Sequence, residues 1–272
     1  MKNWTLDDIA WDRFEPAKVD ADLLGIVKAA ALVERNGLDY GVYLNNVFAD
    51  DPEFRAVIDQ WSREEVQHGL ALGRWAAMAD PSFDPDAAFR RFTDGYKLPL
   101  DARTSVRGSR AGELMARCMV ETGTSSYYAA LRDAATEPVL RQICDCVARD
   151  ELRHYKLFYA HMRRYVETER LGAWGRARVG VGRIAESEDD ELAFAYYAAN
   201  APADAVYDRR TYSRAYARRA YAVYRPRHVE RGVAMILKAV GVNATGRLNA
   251  LLTRLAAWFL RWRSARLARA GA

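Results

Sequence analysis

Glu65 and His68 stand three residues apart, and so do Glu151 and His154. On a helix this spacing sets a carboxylate and an imidazole side by side on one face. Glu34 lies 31 residues before Glu65, and Glu121 lies 30 before Glu151, so the second set repeats the first after 86 or 87 residues. With four histidines in the chain, chance alone gives about 0.2 Glu-x-x-His pairs. Two antiparallel helix pairs would bring four carboxylates and two imidazoles together, the ligand set of a di-iron or di-manganese site. The carboxylates would neutralise and bridge two divalent ions, and each histidine would bind one of them. An acid also precedes each inner glutamate: Glu64 before Glu65, and Asp150 before Glu151. A ligating histidine usually donates its other ring N–H to a carboxylate. Asp150 is therefore expected to serve His68 across the helices, and Glu64 to serve His154; the plainer reading of either acid is an exposed neighbour of a ligand.

Helices have to position these groups, and hydrophobic periodicity predicts them almost throughout. One helix is expected from Asp20 to Val47. A second opens with Asp51 as cap and Pro52 in the first turn and runs to Met78. A proline-containing connection follows from Asp80 to Arg103. A third helix is expected over Thr104 to Asp133, and a fourth, capped by Thr136, runs to Val166. A glycine-containing linker spans Leu171 to Arg183, and further helices follow from Asp189. The four main helices carry apolar stripes: Leu23, Val27, Ala30, Glu34, Leu38; then Ile58, Trp61, Glu65, His68, Leu72, Trp75; then Leu114, Cys118, Glu121, Ser125, Tyr128; then Leu140, Cys144, Val147, Glu151, His154, Phe158, His161. Carboxylates and imidazoles thus interrupt faces that should be core. A lone buried charge there would cost several kcal/mol unless paired or metal-bound. The expected fold class is all-α, a four-helix bundle with additional C-terminal helices.

Composition narrows the class. The chain has 272 residues, 50% hydrophobic and 28% charged, which fits a globular protein with a sizeable core. No run of 18 apolar residues occurs, and the opening MKNWTLDDIAWDRF places acids where a secretion signal needs an apolar stretch. Cys118, Cys144 and Cys146 form no CxxC pair, which argues against a disulfide framework or a zinc ribbon. A cytoplasmic enzyme is expected.

The segments Glu64-Glu65-Val66-Gln67-His68-Gly69 and Asp150-Glu151-Leu152-Arg153-His154 resemble the EExxHG and DExRH motifs of the soluble acyl-carrier-protein desaturases, within the ferritin-like di-iron superfamily. The resemblance covers residues 20 to 165. It implies two iron ions, with manganese as the other metal that suits the ligands, and O2 as co-substrate. It implies bridging roles for Glu65 and Glu151, terminal roles for Glu34 and Glu121, and one iron each for His68 and His154. Thr124 matches a threonine that the family places on the oxygen side of the cluster; its plainer reading is helix packing. The implied reaction removes hydrogen from an apolar chain, a carrier-bound fatty acyl group, with electrons from a donor such as ferredoxin. Related branches fit less well. Position 72 is Leu where a ribonucleotide reductase small subunit has its radical tyrosine, position 147 is Val where the N-oxygenases have a third histidine, and rubrerythrin's CxxC segment is missing. A desaturase, hydroxylase or oxidase remains.

The two ends of the chain differ in charge. From Asp208 onward there are 15 Lys and Arg against two acids, while the first 207 residues carry a net charge of −8. Tyrosines and arginines interleave from Tyr207 to Arg225, and the segment Arg247 to Arg269 reads as a basic amphipathic helix with Trp258 and Trp262. An acidic acyl carrier protein, RNA or an anionic membrane surface could each answer this charge, and the same residues could instead cover the chain's own core. The RNA and membrane readings carry their own substrate alternatives, tRNA or a membrane quinone. A metal-binding bundle without enzymatic activity is the remaining alternative. The expected organisation is a di-iron bundle over residues 1–185 with a basic helical extension over 186–272, in a homodimer that is cytoplasmic or peripheral at the membrane.

Overall fold

The computed structural model describes residues 4–186, 190–243 and 246–270. The expected start of the tail helices at Asp189 and the side chain of Arg269 lie outside the described residues. The described chain is all-helical. After three single 3-10 turns, eleven helices follow: α1 (Ala21–Arg35), α2 (Gly37–Val47), α3 (Pro52–Ala79), α4 (Pro85–Gly95), α5 (Arg110–Ala134), α6 (Pro138–Glu169), α7 (Ala173–Glu186), α8 (Asp190–Asn200), α9 (Arg209–Ala222), α10 (Pro226–Val240) and α11 (Arg247–Ala270). No described helix is long and apolar enough to cross a membrane.

Capping side chains set most of these boundaries. Asp20 accepts from the backbone N–H groups of Asp22 and Leu23, Asp51 from Phe54, and Ser109 from Gly112. Each satisfies N–H groups that have no partner inside the helix. The fourth main helix, α6, is capped by Glu137, which accepts from Val139 and Leu140, and not by Thr136, whose hydroxyl donates to the Lys18 carbonyl.

Several expected boundaries shift. The helix expected over residues 20–47 is two helices, broken at Asn36. Gly37 explains why: a Cβ there would lie 2.4 Å from the Glu65 Cβ, so the chain has to bend past α3 with no side chain in the way. The break also turns Leu38 out of the stripe to 55% exposure. The connection 80–103 contains α4, because Pro85 occupies a first-turn position, where its missing N–H costs nothing. The third main helix starts at Arg110, six residues later than expected. The linker expected at 171–183 is largely α7, whose Gly180 sits against Met115 and Met119.

α1 runs antiparallel to α3, α3 to α6 and α6 to α5, so α3 and α5 point the same way. Lys28 pairs with Asp80 at 2.6 Å while Arg35, at the other end of α1, meets Gly69. Trp75 donates to Glu137 at 2.7 Å, while Phe54 packs on His161. The Arg110 backbone N–H donates to Glu169, while Arg132 pairs with Asp145 at 2.9 Å. Two apolar clusters fill the space between the helices. One holds Ile26, Leu72, Trp75, Tyr128 and Val147; the other holds Phe54, Ile58, Trp61, Leu114 and Phe158. Along each of α3, α5 and α6 the acids and imidazoles fall in the gap between these two clusters, as a polar layer within an apolar column.

The C-terminal helices pack on this column. α8 lies along α1, α10 lies along α5, and α11 rests on α9 and α10. Tyr212, Tyr216 and Tyr224 lay their rings on the core, while Arg209, Arg210 and Arg214 stay exposed. The Tyr/Arg interleaving is thus the two-sided pattern of a covering helix.

Candidate metal centre

Glu34, Glu65, His68, Glu121, Glu151 and His154 converge in the polar layer, and all six are buried. They form two overlapping groups, Glu34–Glu65–His68–Glu151 and Glu65–Glu121–Glu151–His154, in each of which the ligand-type atoms lie within 4.8 Å of one another. Glu65 and Glu151 belong to both. Gly69, the residue after His68, allows this convergence: a Cβ there would meet the Arg35 backbone N at 2.4 Å, so α1 and α3 approach more closely than any other residue would permit.

Both imidazoles turn Nδ1 inward and Nε2 outward. His68 Nδ1 lies 3.2 Å from Glu151 and 3.6 Å from Glu34, while its Nε2 meets Asp150 Oδ2 at 3.2 Å. His154 Nδ1 lies 3.0 Å from Glu65 and 3.7 Å from Glu121, while its Nε2 meets Glu64 Oε2 at 2.7 Å. Asp150 thus faces His68 and Glu64 faces His154, each from the opposite helix. Arg153 reaches Glu64 at 2.9 Å and Asp150 at 2.8 Å. A ring N–H donated outward to a carboxylate leaves the inward nitrogen with a free lone pair, the form that binds metal.

The inward atoms are close but not aligned as hydrogen bonds. Glu65 Oε1, Glu121 Oε2, Glu151 Oε1, His68 Nδ1 and His154 Nδ1 are all buried without a hydrogen-bond partner. Each such atom carries a desolvation cost of about 1–3 kcal/mol, and here five of them belong to the two overlapping groups. Carboxylate oxygens with imidazole nitrogens suit iron or manganese in the divalent state, and four carboxylates would balance two such ions. The residues present therefore fit a pair of metal ions, and the buried cluster could hold them.

Without metal, protons have to offset the same charge. Burial, followed by repulsion from Glu65, pushes the Glu34 carboxyl up to about 8. Glu121 is raised well above the usual carboxylate range by burial and by Glu151. Burial works against charge on Glu65 too, but the contacts of His154 and His68 hold its carboxyl well below that range. Burial would lower both imidazoles. Asp150 and the inner glutamates outweigh it at His68, and Glu121, Glu64 and Glu65 outweigh it at His154, so both are raised.

Thr124 Oγ1 donates to Glu151 Oε2 at 2.6 Å. Two further contacts had no separate signal in the sequence. Tyr128 donates to Glu34 Oε1 at 2.5 Å; it lay in the third-helix stripe, but its partner is 94 residues away. Trp4 donates from Nε1 to Asp150 Oδ2 at 2.7 Å and stacks on the His68 ring, with centroids 6.0 Å apart. The remaining histidines lie elsewhere. His161 packs against Phe54, and His228 meets Asp133 at 2.8 Å.

A cavity of about 420 Å3 reaches the cluster at Glu34 and Thr124. α1 and α5 form one side, with Val33, Met119 and Val120; the C-terminal helices form the other, with Val233, Ile236 and Leu260. Its size falls in the range of small-molecule sites, roughly 300–1,000 Å3, and its walls are chiefly apolar. No protein-family model matches the chain, and a search of curated proteins returns no match either.

Proposed function

We propose that the chain is an O2-dependent di-iron oxidoreductase of the desaturase or hydroxylase type, built on a ferritin-like bundle and acting on an apolar molecule held in this cavity. The observation that carries this reading is the convergence of five unpaired, buried ligand atoms around two shared carboxylates, at the wall of an apolar cavity. Glu65 and Glu151 would hold both ions, Glu34 and His68 one, and Glu121 and His154 the other. When bound, the iron pair supplies the electrons and the O2 site needed to take hydrogen from an unactivated C–H bond.

The chain's own groups do the rest. Asp150 and Glu64 accept the outward Nε2–H of the two imidazoles and fix their orientation, so that Nδ1 is the nitrogen turned to the cluster. Thr124 holds a proton on Oγ1 at the cavity wall, hydrogen-bonded to Glu151, within reach of a group that binds beside it. Tyr128 fixes one oxygen of Glu34 and leaves the other facing His68. The apolar walls position a C–H bond against the Glu34 side of the cluster and keep bulk water away from it. A fatty acyl group on an acidic carrier, with ferredoxin as electron donor, is the first pair to assay.

Anaerobic loading with Fe(II), followed by O2 uptake with and without acyl carrier substrates, tests the reading. It expects O2 uptake that depends on the bound iron and is lost in Glu65→Ala. Bound metal with no O2 uptake under any substrate would reduce the protein to a metal-binding bundle.

A further inference from the structure

Helix α11 has two apolar faces, and among the described residues only one of them is packed. On the inner face Ala256 and Leu260 line the cavity and Leu267 is buried, where α11 rests on α9 and α10. On the outer face Leu248, Leu251, Leu255, Trp258, Phe259 and Trp262 follow one another at helical spacing, each 43–60% exposed. An apolar stripe of six large side chains on an exposed helix is a surface that calls for a partner.

The charge around the stripe says which partner. Residues 231–272 contain eight Lys and Arg and not one Asp or Glu. Arg254 and Arg261 stand exposed beside the stripe, and Arg266 lies over the Trp262 ring at 5.5 Å. A second copy docked through the same face would bring these arginines against their own equivalents, with no acid on the helix to offset them. An anionic bilayer offers both halves of what the helix presents. Its headgroups answer the arginines, its acyl boundary takes the leucines and Phe259, and the indoles of Trp258 and Trp262 suit the interface between the two.

We propose that the outer face of α11 docks the protein on an anionic lipid bilayer and sets the cavity behind it at the membrane surface. An apolar substrate then reaches the cavity from the bilayer, past the helix whose inner face is one of its walls. The docking rests on α11 alone; the delivery of substrate rests also on the proposed oxidoreductase reading.

Co-sedimentation of the full-length chain with vesicles tests the docking without any assay of activity. The probe is phosphatidylcholine vesicles with about one third phosphatidylglycerol, against phosphatidylcholine alone, at about 0.1 M salt. The chain should sediment with the mixed vesicles and hardly with the neutral ones, and roughly 1 M salt should weaken binding about tenfold. Trp258→Glu combined with Phe259→Glu should weaken binding at least about tenfold, with thermal melting and metal content unchanged, since both side chains point away from the core. Arg254→Glu with Arg261→Glu should weaken binding to the anionic vesicles. Failure of the unaltered chain to bind the mixed vesicles would overturn the proposal, as would full binding by the Trp258/Phe259 variant. A dimer that the same double substitution converts to monomer, with no vesicle binding by either, would assign the face to a second copy and also overturn it. Vesicle binding by a chain that takes up no O2 would leave the docking standing and remove only the catalytic reading.

Discussion

The two halves of the candidate metal centre are near repeats in sequence and differ in their surroundings. On one side Glu34 sits at the end of a helix that breaks two residues later, one of its oxygens is held by Tyr128, and it borders the cavity. On the other side Glu121 sits within the unbroken α5, and its Oε2 has no hydrogen-bond partner. The outer acids differ as well. Asp150 is held by Trp4 from the N-terminal segment, while Glu64 is held by Gln60, one turn away on its own helix. The doubled motif builds two equivalent ligand sets, and the long-range contacts make them unequal. The convergence of ligand-type atoms follows from the repeat, whereas the side that borders the cavity follows from the asymmetry.

Substitutions can break this comparison, and the largest effect belongs to the shared carboxylates. Glu65→Ala or Glu151→Ala should lose both metal ions by elemental analysis, whereas Glu34→Ala or Glu121→Ala should retain one. Equal losses from all four would remove the distinction between shared and unshared ligands. The outer acids come next. Asp150→Asn and Glu64→Gln should each weaken metal affinity roughly 10- to 100-fold by competition with a chelator.

Protonation gives a third test. The raised Glu34 carboxyl means that the folded, metal-free chain binds a proton that the unfolded chain releases near 4.5. That contribution to stability is fully present below about 4.5 and is lost as pH rises through about 8. The raised imidazoles act in the same direction, present below their ordinary value of 6.5 and lost as pH rises further. The metal-free chain should therefore melt at lower temperature as pH rises from about 5 to about 8, and metal loading should reverse the trend because bound ligands are deprotonated. A flat melting profile in the metal-free chain would contradict the proton-for-metal exchange.

The smallest effects separate the cavity side from the far side. Thr124→Val should keep the full metal content and lower turnover about tenfold. Tyr128→Phe should weaken retention of the Glu34-side ion by only a few-fold. A Thr124→Val variant with unchanged turnover would make Thr124 a packing residue.

What the sequence made legible follows from the range of each interaction. The spacing of Glu65 and His68, and of Glu151 and His154, is a property of single helices, so the six inward groups could be read before any contact was known. The acids Glu64 and Asp150 could be read for the same reason, by adjacency. Trp4 meets Asp150 across 146 residues and Tyr128 meets Glu34 across 94, and no local pattern carries such information. The break at Asn36 was hidden because the apolar period continues through Leu38; only the close approach of Gly37 to Glu65 interrupts the helix. The helix α7 was hidden by its glycines, which read as linker residues, although Gly180 serves contact with Met115 and Met119. The cavity was out of reach altogether, since helices from both ends of the chain wall it.

The most direct test of the central claim is the metal content of the full-length chain after anaerobic loading with Fe(II) and removal of excess iron. The arrangement of Glu34, Glu65, His68, Glu121, Glu151 and His154 predicts two ions per chain, falling to none in Glu65→Ala. Less than one ion per chain, or the same content in Glu65→Ala, would contradict it.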